Sequence, residues 1–280
     1  MELLNKELYY KVVRPLDEVP FNHLFADAVV ALKVDGLIYT DNSDSPTSFY
    51  IIHPYGITLL FGNPDNEEFN RQLIAYLLNI DQKRRSIDWM QVYPQSWSAW
   101  LLTSIGDQLL TKKQKEEEGL TETELIKVDE QTRVNFKFNP DKYGVFKASL
   151  PNEYADIFRT GEEEFNHMPG AVVPKFFWRS APQFLKEGIG FSLRCNGELA
   201  CTAFSAFINE HQLELGIESS SQFRGKGFAM RTCAALIDYC LANGYEPVWS
   251  CRLENTNSYL LAQKLGFEPI RFHPFYKVNV

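Results

Sequence analysis

The chain has 280 residues, long for one α/β domain and comfortable for two small ones, and its 45% hydrophobic and 14% aromatic content argues for packed cores and against wholesale disorder. A net charge of −8 and a pI near 5.3 exclude a surface that coats nucleic acid, which needs a cationic field. Met1 to Glu7 holds no apolar core for a signal peptide, and the best apolar run, Ala26 to Tyr39, is broken by Lys33 and Asp35, so no membrane span and a cytoplasmic location are expected.

In chain order, Leu37 to Thr40 and Phe49 to His53 read as strands around the turn-rich stretch Asp41 to Thr47. Ile57 to Phe61 is a further strand, Asn66 to Asn79 a helix, Trp89 to Tyr93 a strand and Ser96 to Ile105 a helix. Trp89, Trp97 and Trp100 suit core packing, with the lining of an acceptor pocket as the second reading. Thr111 to Glu130 is highly charged and reads as a solvated helix or loop, the alternative being a partner-binding arm. Arg133 to Tyr143 alternates polar and apolar residues and predicts a strand leading into a second domain.

Asn152 to Phe165 has helical spacing, and Ala181 to Gly188 is a short helix ended by glycine. Gly190 to Arg194 and Leu199 to Ile208 predict two strands joined by the Asn196-Gly197 hairpin turn. Gln212 to Ser219 follows as a strand with Leu213, Leu215 and Ile217 on one face and Glu214, Gly216 and Glu218 on the other. A long helix, about Gly227 to Ala242, then a strand Pro247 to Arg252, a helix Asn257 to Leu265 and a strand Phe267 to Val278 complete the order β-β-β-α-β-α-β. The fold class is α/β (α+β): a mixed, mostly antiparallel sheet flanked by helices. Residues 1–140 repeat this order faintly and are expected to form a first domain, either a degenerate copy of the fold or an unrelated one, with 141–280 as the functional domain. All five cysteines lie in the second half without CxxC spacing, and the five histidines are scattered, so neither a disulfide frame nor a metal site is expected.

The chemistry concentrates at Gln222-Phe223-Arg224-Gly225-Lys226-Gly227. A strand, a glycine-rich turn and a helix in that order make an anion site, because the helix start offers unpaired N–H groups and the positive end of its dipole. Gly225 and Gly227 let the backbone approach phosphate oxygens, and Arg224 and Lys226 add charge. The corresponding turn of the first half, Phe61 to Glu68, places three acids at its helix start, where they repel a pyrophosphate.

Gln222-x-x-Gly225-x-Gly227, followed about thirty residues on by Asn255-x-x-Ser258 and Lys264-Leu265-Gly266-Phe267, resembles the two motifs of the GNAT superfamily of N-acetyltransferases. The resemblance covers about Leu150 to Val280, and the lead-in Arg133 to Phe138 and the chain length are similar to the subgroup containing zwittermicin-type self-resistance acetyltransferases. It implies acetyl-CoA as co-substrate and acetyl transfer to a small-molecule amine; the acidic charge and the broken apolar run lead to no expectation of a nucleic-acid or membrane partner, and oligomeric state stays open. The resemblance further implies that Gln222 to Gly227 hold the pyrophosphate, that Ile217 and Ser219 line the pantetheine, and that Asn255 and Ser258 contact the CoA arm. A backbone N–H near Ile217 or Glu218 would serve the oxyanion.

Glu214 and Glu218 are the candidates for the general base, against the reading of a solvated sheet face. Counting back from Gly266-Phe267, the family's general-acid tyrosine falls on Ala262, which cannot donate a proton. Tyr259, one helical turn away, is the substitute candidate, and packing against the sheet is its other reading. Two alternatives stay open beside the N-acetyltransferase: a transferase of another acyl or aminoacyl group, and a non-catalytic CoA-binding sensor.

Overall fold

The computed structural model describes residues 1–121, 126–150 and 157–280, which divide into two compact units. The first comprises Met1–Arg133, Arg252–Glu254 and Phe272–Val280, and the second Val134–Cys251 and Asn255–Arg271.

Up to residue 138 the elements are β1 (Glu2–Leu3), α1 (Tyr10–Asp17), α2 (Leu24–Val30), β2 (Leu37–Thr40), β3 (Ser48–Ile52), β4 (Ile57–Gly62), α3 (Glu67–Leu77), β5 (Asp88–Tyr93), α4 (Ser96–Ile105), β6 (Leu109–Leu110), α5 (Lys112–Glu117) and β7 (Val128–Phe138). Strands β2, β3 and β4 form an antiparallel meander, and β4 runs parallel to β5 through five pairs, from Ile57↔Trp89 to Phe61↔Tyr93. Alternation along β5 sends Met90 and Val92 into a core with Phe69 and Leu73 of α3 and Trp97 and Leu101 of α4. Trp97 is fully buried and donates to the Gly62 carbonyl at 3.2 Å, which settles it as core. Of the charged stretch Thr111 to Glu130, Lys112–Glu117 form α5, started by a capping box between Thr111 and Gln114, Val128 to Glu130 already belong to β7, and 122–125 lie outside the described residues.

The elements that follow are α6 (Pro140–Ala148), β8 (Ile157–Arg159), α7 (Glu162–His167), α8 (Ala181–Glu187), β9 (Gly190–Cys195), β10 (Glu198–Ile208), β11 (Gln212–Ser219), α9 (Phe228–Ala242), β12 (Glu246–Arg252), α10 (Thr256–Lys264) and β13 (Phe267–Val278). Within the second unit the sheet order β8-β9-β10-β11-β12 is antiparallel up to β11, while β11 and β12 are parallel. The β9–β10 turn has Asn196 and Gly197 at φ of 54° and 81°, the left-handed pair that a two-residue hairpin demands. The two units thus carry the same order and strand senses: an antiparallel meander, a helix, a parallel strand and a second helix.

The sequence expectations fail in identifiable places. The strand expected over Arg133 to Tyr143 stops at Phe138, and Asn139 caps α6 by accepting from the Asp141 and Lys142 amides, with Pro140 in the first turn. The helix expected over 152–165 falls partly outside the described residues; the described part is the strand Ile157–Arg159 and the helix Glu162–His167. Helices α1 and α2 are absent from the sequence reading. The solvated face proposed for β11 does not exist at Glu214, which is 4% exposed.

The C-terminal residues complete the first unit, since Phe275 to Val278 of β13 pair antiparallel with Gln91 to Asp88 of β5. Buried Arg84 holds them there, donating to the carbonyls of Val278 (2.8 Å), Asn279 (2.6 Å) and Leu77 (2.9 Å). His53, fully buried after β3, accepts the Tyr55 amide on Nδ1 at 3.0 Å, and burial pushes its pKa down to about 3. The folded protein therefore keeps this imidazole neutral, while the unfolded chain takes up a proton near pH 6.5. The stability contribution is complete above about pH 6.5 and is lost as the pH falls toward 3, with a slope of about 1.4 kcal/mol per pH unit. His53→Asn, which can still accept the Tyr55 amide, is expected to remove that slope from urea-unfolding free energies measured between pH 6.5 and 4.

Candidate functional site

The sequence-predicted loop and helix lie entirely within the second unit. Strand β10 bulges between Ser205 and Phe207, and beyond it β11 continues to pair with β10 as far as Cys201↔Ser219. On its other edge β11 pairs with β12 only over Gln212↔Glu246, Leu213↔Pro247 and Glu214↔Val248. Ser205, opposite Leu215, gives its N–H to Ile189 at 2.8 Å, away from β11. The alternation of an antiparallel ladder then turns the N–H and C=O of Ile217 toward β12, past the point where β12 has stopped pairing. A slot with backbone donors and acceptors opens there.

At the end of β11 the chain turns through a 3₁₀ segment, Ser221–Phe223, anchored by buried Phe223. Phe223 packs with Leu193, Ala200 and Cys201, and Ile217, Phe228 and Ala229 close around them. Gly225 and Gly227 then adopt φ of 79° and 78°, and a Cβ on Gly225 would meet nothing within 4 Å, so open space lies over the backbone. Gly227 is the N-cap of α9 and carries no side chain to satisfy the helix start, and the first turn of α9 holds no acid. Arg231 is the first α9 residue whose amide is taken, by the Gly227 carbonyl at 3.3 Å. Among the described residues, nothing accepts from the amides of Gly225 to Met230. Six consecutive N–H groups at the positive end of a 15-residue helix make an anion cradle. The Arg224 side chain is 66% exposed, and the Lys226 ammonium lies 5.0 Å from the Phe223 ring centroid, so both cations sit at the rim.

The remaining residues take varied positions. Gln222 donates to Glu198, and the Ser219 hydroxyl to the Cys201 sulfur at 3.3 Å. Asn255 is the N-cap of α10, its Oδ1 accepting the Ser258 amide at 3.3 Å, and the Ser258 hydroxyl accepts from Trp249 Nε1 at 3.2 Å. These contacts fix the start of α10 against β12.

The two carboxylates of β11 differ sharply. Glu218 Oε2 accepts the amides of Ala171 (2.9 Å) and Val172 (3.1 Å), while Oε1 accepts the Ser219 amide at 3.2 Å and faces Arg224 Nη2 at 3.6 Å. Gly170 makes this possible: at φ of 130°, its Cβ would fall 2.4 Å from Glu218 Cγ. Glu218 therefore clamps the Gly170–Val172 loop onto the strand, and most of its proton-accepting capacity is committed. Glu214 is buried at the last paired position before the slot and accepts from the Ser250 hydroxyl of β12. Ser250 was invisible to sequence reasoning, since only the β11–β12 pairing brings it to Glu214 across 36 residues. Tyr259 of α10 lies half-buried with its ring 5.4 Å from Phe136, and among the described residues its hydroxyl has no hydrogen-bond partner. Ala262 is fully buried.

The sequence pattern of the GNAT acetyltransferase family matches residues 17–276. The chain belongs to that family. It is accordingly an acyltransferase, and the family match spans both units. Over 99% of this chain and 98% of the relative, it is 22% identical to the uncharacterised N-acetyltransferase YdfB of Bacillus subtilis (strain 168). A GCN5-related N-acetyltransferase-like protein of Streptococcus suis 89/1591 has a similar fold, with a TM-score of 0.69, 21% identity and coverage of 97% and 98% of the two chains. A tandem GNAT protein from the clavulanic acid biosynthesis pathway is similar at a TM-score of 0.58 and 11% identity, over 100% of this chain and 99% of the other.

In this GNAT protein the α10 cap is a separable structural element. Replacing Asn255 by Ala removes the acceptor for the Ser258 amide and is expected to destabilise the protein by about 1 kcal/mol in urea unfolding.

Proposed function

We propose that the chain is an acetyl-CoA-dependent N-acetyltransferase that acetylates the primary amine of a small molecule by direct attack in a ternary complex. The observation that carries this reading is the conjunction of the open amides of Gly225 to Met230 with the slot beyond Glu214↔Val248. Open amides suit a pyrophosphate and an unpaired strand edge suits an extended chain of amides, and the two adjoin along a single strand-to-helix connection, which supports this reading. The family generally uses acetyl-CoA, which supplies an activated thioester carbonyl.

Gly225 to Gly227 and the start of α9 would hold the pyrophosphate, with Arg224 and Lys226 adding charge at the rim. Ile217 would hydrogen-bond the pantetheine arm through its N–H and C=O, and an N–H on this edge would donate to the carbonyl oxygen as that oxygen gains negative charge. Glu214 is the better-placed base of the two candidates, because Glu218 is engaged by three amides and Arg224. With the Ser250 hydroxyl on it, Glu214 has a route for a proton leaving the attacking amine. Tyr259 is the candidate donor to the departing thiolate.

Ala262 favours a second reading, a CoA-binding sensor without turnover. The two separate in one assay: the enzyme reading expects release of CoA thiol with some member of a broad panel of primary amines, and the sensor reading expects binding without release. Gly225→Val is expected to weaken acetyl-CoA binding at least thirtyfold by calorimetry while shifting the melting temperature by only a few degrees. Unchanged affinity would overturn the cradle. Tyr259→Phe is expected to lower kcat tenfold or more with little change in acetyl-CoA affinity, and an unchanged kcat would make this tyrosine structural.

A further inference from the structure

Arg252 belongs to the first unit and plays no part in the reading above. Its guanidinium carbon lies 4.4 Å from the Trp89 ring centroid, and Trp89 stacks on Phe275 at 5.4 Å with 24° between the planes. Lys277 pairs with Trp89, and Phe275 lies two residues from Lys277, so the two rings leave the β5–β13 ladder from one face. Phe275 carries a second guanidinium, that of Arg133, at 5.2 Å.

The side chain to which Arg252 donates is a neutral amide. Arg252 Nη1 donates to Gln131 Oε1 at 2.7 Å, and Gln131 Nε2 donates to Asp129 Oδ2 at 2.9 Å, which fixes the amide with its carbonyl toward the arginine. Asp129 is itself buried and paired with Lys115 at 2.7 Å, so its charge is balanced by that ammonium. The chain has 36 aspartates and glutamates, yet among the described residues no carboxylate pairs with this half-buried guanidinium. A guanidinium has five N–H donors in a planar fork, and Gln131 engages one. The indole face beneath it and the Gln131 oxygen beside it hold the fork in place, and half-burial strengthens whatever it binds, so the arrangement suits a bidentate oxyanion.

We propose that Arg252, held on Trp89 and oriented by Gln131, is a recognition site for the oxyanion group, carboxylate or phosphate, of a small ligand. The first unit then carries a binding function of its own, independent of the acetyl-transfer reading.

The test follows the side-chain Nε–H resonance of Arg252 by NMR in the full chain, assigned by its disappearance in Arg252→Gln. Succinate and inorganic phosphate are titrated separately at low ionic strength, with succinamide as the neutral control. Reading this one resonance keeps phosphate bound elsewhere, such as at the α9 start, out of the measurement. A saturable shift with either anion and none with succinamide is expected, and the responding anion identifies the oxyanion. Gln131→Glu supplies a carboxylate to Arg252 from within the chain and is expected to weaken binding at least tenfold with no loss of melting temperature. No saturable shift at millimolar anion, an equal response to succinamide, or full affinity in Gln131→Glu would each overturn the proposal. A failed acetylation assay would leave this measurement untouched.

Discussion

The structure of the candidate site follows from where one parallel ladder ends. Strands β11 and β12 pair over three residues and then separate after Glu214↔Val248. An unpaired buried peptide group costs as much as a lost hydrogen bond, so two strands that could zip further ordinarily do. Ile217 is only half-buried, so its β12-facing N–H and C=O stand without a ladder partner at the margin of the core, within reach of water or a ligand. The same divergence leaves Glu214 as the last paired residue, with Ser250 two positions beyond Val248 to meet its carboxylate. Slot, buried acid and hydroxyl partner are consequences of one interruption in the hydrogen-bonding pattern.

The first unit provides an internal control. Its β4 and β5 occupy the equivalent places and run in the same parallel sense, yet they remain paired through Phe61↔Tyr93. The helix that follows β4 is satisfied from within: Asn66 caps it by accepting the Phe69 amide at 3.0 Å, and Glu67 and Glu68 place negative charge on the positive end of its dipole. In the second unit the helix start has neither a capping side chain nor an acid. With the same element order, the ladder is closed and the helix capped in one unit, and the ladder is open and the helix bare in the other. Closure and capping stabilise, and in the second unit these two independent devices are missing at adjoining positions.

What the sequence made legible follows the range of each interaction. The anion cradle could be read from Gln222 to Gly227 because a left-handed turn and an uncapped helix start are local and leave their mark in glycine and in missing acids. The hairpin at Asn196-Gly197 and the helix α4 were readable for the same reason. The α6 start at Asn139-Pro140 was equally local, but the alternation of Arg133 to Phe138 masked it, and the predicted strand overran by a few residues. The slot left no such mark, since it is a property of two strands about thirty residues apart. Nor did the role of Glu218, whose partners Ala171 and Val172 precede it by 47 and 46 residues. Glu214 and Glu218 alternate like residues of a solvated face, and only the packing of the unit reveals that Glu214 is buried and Glu218 tied to a loop.

These contacts also bear on how the absent tyrosine at position 262 is to be understood. Ala262 is fully buried, so its side chain is a packing element of α10. A tyrosine there would have to be accommodated by the surrounding core, whereas Tyr259 is already half-buried against Phe136 with a hydroxyl that no described residue engages. A phenol packed only to fill space gains nothing from its hydroxyl, and burying one without a partner is costly, so the half-exposed setting of Tyr259 keeps that group available to water or to a ligand. The α10 cap strengthens the point: Asn255, Ser258 and Trp249 hold the first turn of the helix in place, and Tyr259 lies immediately after that fixed turn. The hydrogen bonds of that turn therefore limit how far the Tyr259 ring can move from Phe136.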